Sequence, residues 1–501
     1  MFNATPILSL IAQNRARTLK SFDISKVQEQ ELLKLVKKTK DTVFGKAHNF
    51  SNINSAKDFQ ENVPSRNYDF LWQNFWKEKF PHLINASWPG EIPFFAVTSG
   101  TSTGTTKYIP ITSEMIASNR RAGLDILIHH VLNKKNSKLL SGKSLIIGGS
   151  TEFVKVAENI YSGDLSGIAY KTLPLWAKPF AFPPKEIAML SDWEKKIEGM
   201  AKVCLENNVT SISGVPSWML IFLDSFSKYS PKYDGSIKSV FPNLELIIYG
   251  GVNFAPYHEQ FKKRLSGLSV DLREVYPASE GFIAVADRGV GEGLRLIPDN
   301  GIFYEFIPVE ELTKEKPTRH WVKNIELNQN YAIVLTTNSG LFSYTLGDTV
   351  KFIDRERLLI TGRTSYSLSA FGEHLILEEI EAAVLHASHA QGVEVKEYSV
   401  GAIFPQKEGE LGRHRFYIEL EAGFSANKEK FIKDLDTVLC EKNEDYKAHR
   451  AEGFGLSMPE VVFLSQGKFS EWMKSRGKLG GQHKVPRIIT DQNIFASLPQ
   501  N

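Results

Sequence analysis

The stretch FFAVTSGTSTGTTKYIP, residues 94–110, sets seven serines and threonines around two glycines and closes on a lysine. Apolar runs stand on either side, the pattern of two strands joined by a polar turn. Gly100 and Gly104 let the backbone come close and point N–H groups inward, and the hydroxyls add donors for phosphate oxygens. The glycines enclose three residues and Lys107 follows three positions later, so the G-x-x-x-x-G-K-[ST] phosphate loop is excluded. Alone, the stretch reads equally well as a surface turn, and the rest of the chain has to decide.

At 501 residues the chain is too long for one ordinary domain. A hydrophobic share of 42% with 23% charged residues is that of a globular protein. Sixty basic residues against 57 acidic ones leave +3, which makes no electrostatic case for nucleic acid or membrane binding. Cys204 and Cys440 offer neither a disulfide framework nor a cysteine-rich metal site. The apolar run at residues 6–12 is too short to span a bilayer and lacks the flanks of a signal peptide. The expectation is a cytoplasmic protein.

Residues 1–85 read mostly helical, with EQELLKLVKKTKDTVFG at helical spacing and Gly45 as its stop. Beyond them, short apolar runs such as SLIIGG, TSISGV, LELIIYGG and YAIVLTTN alternate with helical patterns such as SWMLIFLDSFSKY and YHEQFKKRL. Such alternation predicts an α/β core with helices flanking mixed sheets. Near residue 362 the character changes. GEHLILEEIEAAVLHAS is an amphipathic helix and RHRFYIELEA a strand, so the last 140 or so residues read as a small α+β domain. The boundaries expected are 1–362 for the large domain, 363–366 for a hinge and 367–501 for the small one.

Three further stretches bear on the loop. REVYPASEGFIA places Tyr276 and Glu280 around a small-residue turn, YTLGDTVKF pairs Gly347 with Asp348, and ITGRTSYSLSAFGEHL carries Gly362 and Arg363. Asp348 and Arg363 stand fifteen residues apart. This order and spacing resemble the adenylate-forming superfamily of acyl-CoA ligases, luciferases and peptide-synthetase adenylation domains. A narrower resemblance rests on ENVPSRNYDFLWQNFW, TSGTSTGTTKYIP and GKFSEWMKSRGKLGGQHKVPRI. These are similar to the auxin-responsive acyl acid amido synthetases of plants and their bacterial relatives, over about residues 60–490.

The resemblance implies a large N-terminal adenylate-forming domain, a small C-terminal domain that rotates, and two half-reactions. A carboxylate attacks the α-phosphate of Mg-ATP to give an acyl-adenylate and pyrophosphate; the amine of an amino acid then displaces AMP. Thr98, Ser99, Gly100, Thr101 and Gly104 would hold the β and γ phosphates, with Lys107 touching phosphate or sitting on the rim. Glu280 would bind Mg²⁺, since a hard cation takes carboxylate oxygen beside substrate phosphates. Tyr276 would stack on adenine next to Ser279, with Gly250, Gly251 and Val252 walling the base. Asp348 would accept hydrogen bonds from the ribose hydroxyls. Arg363 and Ser365 fall at the hinge, where Ser365 departs from the usual charged residue. Lys484 would be inserted by the small domain to pair with the α-phosphate and the acid, and Val215, Trp218 and Met219 are candidates for the acyl pocket.

Each assignment has a plainer reading: a surface turn, a core tyrosine beside a solvated glutamate, a turn-forming aspartate, a surface ion pair, a helix face packed into the core. His386 and His389 share a helix face but lack ligand partners in the sequence. An acyl-CoA ligase shares the first half-reaction and is the alternative activity; an inactive adenylation fold is the alternative from outside catalysis. The acid and the amino acid are not named by the sequence.

Overall fold

The computed structural model describes residues 3–98, 106–148, 153–188, 190, 193–251, 254, 257–312, 314–364, 367–368, 370–373, 375–407, 409–451, 455–476 and 485–499. The chain begins with helices Thr5–Ser21 and Ile24–Thr39. Asp23 caps the second, its carboxylate accepting from the N–H groups of Ser25 and Lys26 at 3.0 and 3.1 Å. That helix ends at Thr39, and Gly45 is not its stop. Gly45 lies within a short helix, Val43–Ala47, where a Cβ would come 2.2 Å from the Thr39 carbonyl oxygen. Its glycine serves close backbone packing.

One continuous sheet runs through the large domain. Its strands lie in the order His320–Trp321, Ile302–Pro308, Asn330–Thr337, Tyr344–Phe352, Arg357–Arg363, Leu294–Leu296, Gly281–Val285, Asp271–Ala278, Leu246–Gly250, Val209–Gly214, Lys143–Ile147, Ala181–Phe182. The strands from Asp271–Ala278 to Ala181–Phe182 are parallel, and all the other pairings are antiparallel. Both faces of the parallel strands are covered, and Leu145, Ile147, Ile212, Leu246 and Ile247 are buried there. Helices Trp193–Leu205, Pro216–Tyr229 and His258–Arg264 seal one face, with Met200, Phe222, Phe226 and Phe261 sharing a core with Tyr249 of the sheet. Helices Thr5–Ser21 and Ser113–Asn133 cover the other through Leu8, Ala12, Ala122, Ile126 and Ile128. The antiparallel half packs against the N-terminal helices, burying Phe44, Phe59, Trp76, Phe303 and Phe342, each worth roughly 1.5–3 kcal/mol of apolar transfer.

Strands Phe94–Thr98 and Lys107–Ile111 belong to a separate four-stranded sheet with Phe153–Ala157 and Ile160–Gly163. The C-terminal part holds a three-stranded sheet, Val395–Ile403, Arg413–Leu420 and Glu460–Leu464. Helices Leu377–His389 and Lys428–Lys442 pack over it in a core that begins at Leu368, and helix Lys468–Ser475 joins a second cluster. The two parts touch where the Tyr257 hydroxyl donates to the Ala370 carbonyl at 3.0 Å and where the Trp218 and His449 rings lie 5.2 Å apart. Among the described residues, no helix is long and apolar enough to cross a membrane.

Candidate active site

The strand Asp271–Ala278 ends the parallel half of the sheet and turns through Ser279 and Glu280 into the antiparallel strand Gly281–Val285. Ligands of open α/β sheets lie at the carboxyl ends of parallel strands, and this turn stands at such an end. Tyr276 is buried on the last turn of the strand, and its hydroxyl donates to Asp348 Oδ2 at 2.7 Å. Asp348 lies directly across from Arg363 in an antiparallel hairpin, so the fifteen-residue spacing is a strand register. Gly347 is in the left-handed region at φ +97°, and its carbonyl accepts from the Thr364 N–H at 2.7 Å. A side chain there would strain the strand backbone that presents Asp348.

Glu280 is buried, and its Oε1 accepts from the Tyr344 hydroxyl at 3.0 Å. Burial pushes its carboxyl above the usual range; the positive charge of Lys107 opposes the rise and Asp348 adds to it. Among the described residues, no group of three or more histidine, cysteine, aspartate or glutamate side chains forms a metal cluster. The donor set fits Mg²⁺, which takes one or two carboxylates and completes its shell with phosphate oxygens and water.

Thr98 pairs with Lys107 across the hairpin that carries the hydroxyl–glycine loop. Ser99, Gly100, Thr101 and Gly104 lie outside the described residues. Lys107 is no rim residue: it is 8% exposed, and its ammonium stands 5.5 Å from the ring centre of Tyr68. Gly250 backs onto the neighbouring strand so closely that a Cβ would fall 2.4 Å from the Val275 carbonyl oxygen. Gly251 follows at φ +83°. Val252, Ser365 and Lys484 lie outside the described residues, as does the side chain of Arg363.

Helix Pro216–Tyr229 opens with proline at its first position, preceded by a half-buried Val215. Trp218 is half-buried and faces His449 of the small domain. Met219 has no exposed surface and packs with Ile147, Phe222 and Tyr249. Its place is therefore the core, not a pocket wall, because helical spacing turns it toward the sheet while Trp218 turns away.

Two groups escaped the sequence reading. Tyr344 heads the strand that carries Asp348, four residues earlier, and an aromatic there looks like ordinary core. Glu274 lies two residues before Tyr276 on the same strand face, where burial pushes its carboxyl up to about 7. Nothing in the sequence sets it apart, because the same strand also carries Asp271 and Arg273.

Comparison with known proteins places these residues in a family. Residues 18–155 and 150–270 match the GH3 family N-terminal domain, 295–357 the central domain and 378–493 the C-terminal domain. The chain belongs to the GH3 family. It is 22% identical to indole-3-acetic acid-amido synthetase GH3.3 of Arabidopsis thaliana, across 94% of this chain and 90% of that protein. It is 25% identical to jasmonoyl–L-amino acid synthetase GH3.5 of Oryza sativa subsp. japonica, across 52% of this chain and 48% of that one. Among solved structures, GH3.15 acyl acid amido synthetase in complex with 2,4-DB superposes with a TM-score of 0.60 at 18% identity, over 95% and 94% of the two chains. A 2-hydroxyisobutyryl-CoA ligase in its thioesterification state superposes at 0.58 and 14% identity, over 95% and 91%. At these identities the superpositions establish a shared fold. This GH3 chain thus has the α/β architecture and the two-part organisation read from its sequence.

Proposed function

We propose that this GH3 protein is an ATP-dependent acyl acid amido synthetase. The observation that carries the reading is the gathering of Tyr276, Glu280 and Asp348 at one seam of the large sheet, with Lys107 of the smaller sheet acting on Glu280, in a chain of this family. A carboxylic acid oxygen attacks the α-phosphorus of ATP and the bond to pyrophosphate breaks. The nitrogen of an amino acid then attacks the acyl carbon, the bond to AMP breaks and the amine loses its proton. Mg²⁺, when bound, offsets charge on the triphosphate as pyrophosphate leaves.

In this reading Asp348 accepts from the ribose hydroxyls while Tyr276 donates to its Oδ2 and stacks on adenine. Ser279, Gly250, Gly251 and Val252 line the base. Glu280 supplies the carboxylate for the metal, and Lys107 faces phosphate together with Thr98, Ser99, Gly100, Thr101 and Gly104. Lys484 pairs with the α-phosphate oxygens during the first half-reaction. Residues 1–362 bind ATP and acid, 363–366 act as hinge around Arg363 and Ser365, and 367–501 rotate. Val215 and Trp218 are retained as acyl-site residues. The partners are small molecules, and a cytoplasmic location fits an ATP-consuming ligase with two free cysteines.

Mass spectrometry of products tests the reading. The protein receives Mg-ATP, a pool of aryl and aliphatic acids, the twenty amino acids and CoA. An N-acyl amino acid formed with AMP, and lost in Lys484→Ala, is the expected result. A thioester would assign the protein to the CoA ligases, and no AMP with any acid would sink the adenylation reading.

A further inference from the structure

The segment Val63–Tyr68 lies far from the nucleotide motifs in sequence, yet it touches both the strand of Tyr344 and the strand of Lys107. Arg66 adds itself to the edge of the strand that Tyr344 begins: its N–H donates to the Ser343 carbonyl and its own carbonyl accepts from the Thr345 N–H, both at 2.9 Å. Two residues on, Tyr68 is 4% exposed, and its hydroxyl accepts from the Tyr108 N–H at 2.9 Å. Its ring lies under the ammonium of Lys107. One short stretch therefore grips the strand that follows the hydroxyl–glycine loop and the strand whose tyrosine holds Glu280.

The second grip is built under strain. Ser343 adopts φ +46°, a left-handed conformation that costs a non-glycine residue energy and persists only where neighbours impose it. Its N–H donates to Thr336 Oγ1 at 2.9 Å and its hydroxyl to Glu305 Oε2 at 3.2 Å. Glu305, fully buried, is held by Arg319 through bonds of 3.0 and 2.8 Å. Arg319 also donates to the Ser343 hydroxyl and to the carbonyls of Gln60 and Val63, where the strap begins. The turn is locked from three directions, and the next side chain is the Tyr344 that reaches Glu280.

We propose that Val63–Tyr68 is a strap that sets Glu280 and Lys107 in fixed relation, with Tyr344 as the positioning residue for Glu280. By donating to Oε1, Tyr344 would hold the carboxylate plane and leave Oε2 for the cation. The inference rests on the reading of Glu280 as the Mg²⁺ carboxylate. It gives the VPSRNYDF stretch a task in the site, although no residue of that stretch contacts nucleotide in this account.

The test uses the full chain and two readouts. Pyrophosphate exchange is titrated with Mg²⁺ at saturating ATP and acid, and Mn²⁺ binding in the presence of a non-hydrolysable ATP analogue is followed by electron paramagnetic resonance. Tyr344→Phe removes one oxygen from a buried ring. It is expected to raise the half-saturating Mg²⁺ and the Mn²⁺ dissociation constant by the same factor, about 5- to 20-fold, with the acid KM unchanged. Tyr68→Phe is expected to raise the ATP KM and leave the Mg²⁺ midpoint where it was. Glu280→Gln is the control. If it weakens Mn²⁺ binding while Tyr344→Phe binds as wild type, the positioning role is overturned alone. If Glu280→Gln itself binds Mn²⁺ normally, the metal reading falls and the inference falls with it.

Discussion

Two glutamates of this protein are buried in opposite senses. Glu373, on the turn that enters the small domain, has no exposed surface and accepts from His414 Nε2 at 2.8 Å and from the N–H groups of Ala370 and Phe371 at 3.0 and 2.7 Å. Burial alone would raise its carboxyl, but His414 and these donors hold it below the usual range. Glu280 is buried to a similar degree beside Lys107 and the Tyr344 hydroxyl, and burial still pushes its carboxyl up. A carboxylate satisfied by its own protein is an anchor. One that burial still holds above the usual range is the carboxylate that the proposed function gives to Mg²⁺.

That contrast can be broken from either end. Glu280→Gln should reduce pyrophosphate exchange by about 100-fold or more, because a metal carboxylate acts on charge that develops in the transition state. Its thermal midpoint should match or exceed that of wild type, and a drop in stability comparable to the loss of rate would count against a metal role. Glu373→Gln should do the reverse, losing roughly 3 kcal/mol in denaturant unfolding as the His414 pair is broken, with adenylation affected less. Because the folded carboxyl of Glu373 lies low, its contribution is present above the unfolded value and is lost as pH falls through the folded one. Acid unfolding of Glu373→Gln should therefore begin from a lower plateau.

Glu274 sharpens the comparison with a smaller effect. Its folded carboxyl stands near 7 against an ordinary 4.5, so between those values the folded state keeps a proton that the unfolded chain has released. Stability consequently falls as pH rises through that window, by at most about 3 kcal/mol. Glu274→Gln should remove that slope in urea melts taken from pH 5 to 8. An unchanged slope would show that the carboxylate is ionised throughout.

How far the site could be read in advance depended on how local each relation is. Asp348 and Arg363 are joined by one hairpin, so their spacing in the chain already encodes their pairing. Tyr276 and Glu280 share one turn, for the same reason. Tyr344 was overlooked although it stands in the same short stretch as Asp348, because its partner Glu280 is 64 residues away. Nothing in a run of apolar and aromatic residues distinguishes a core tyrosine from one whose hydroxyl meets a carboxylate. Met219 went wrong in the other direction: a tryptophan and a methionine side by side suggest a pocket, but adjacent helical residues face different ways, and only the packed sheet decides which one is sealed.

The sequence by itself determined the alternation of strand and helix, the change of character near residue 362, and the order of motifs that marks the family. Those are properties of short segments, set by side-chain periodicity, turn chemistry and spacing. The tertiary structure alone decided that the sheet changes from parallel to antiparallel at the turn carrying Glu280. It also decided that Arg66 lies on the strand of Tyr344 and that one buried glutamate is held below the usual carboxylate range while the other is pushed above it. The physical reason is that burial and hydrogen bonding are set by whatever the rest of the chain brings alongside, and for these residues the partners come from segments far apart in sequence.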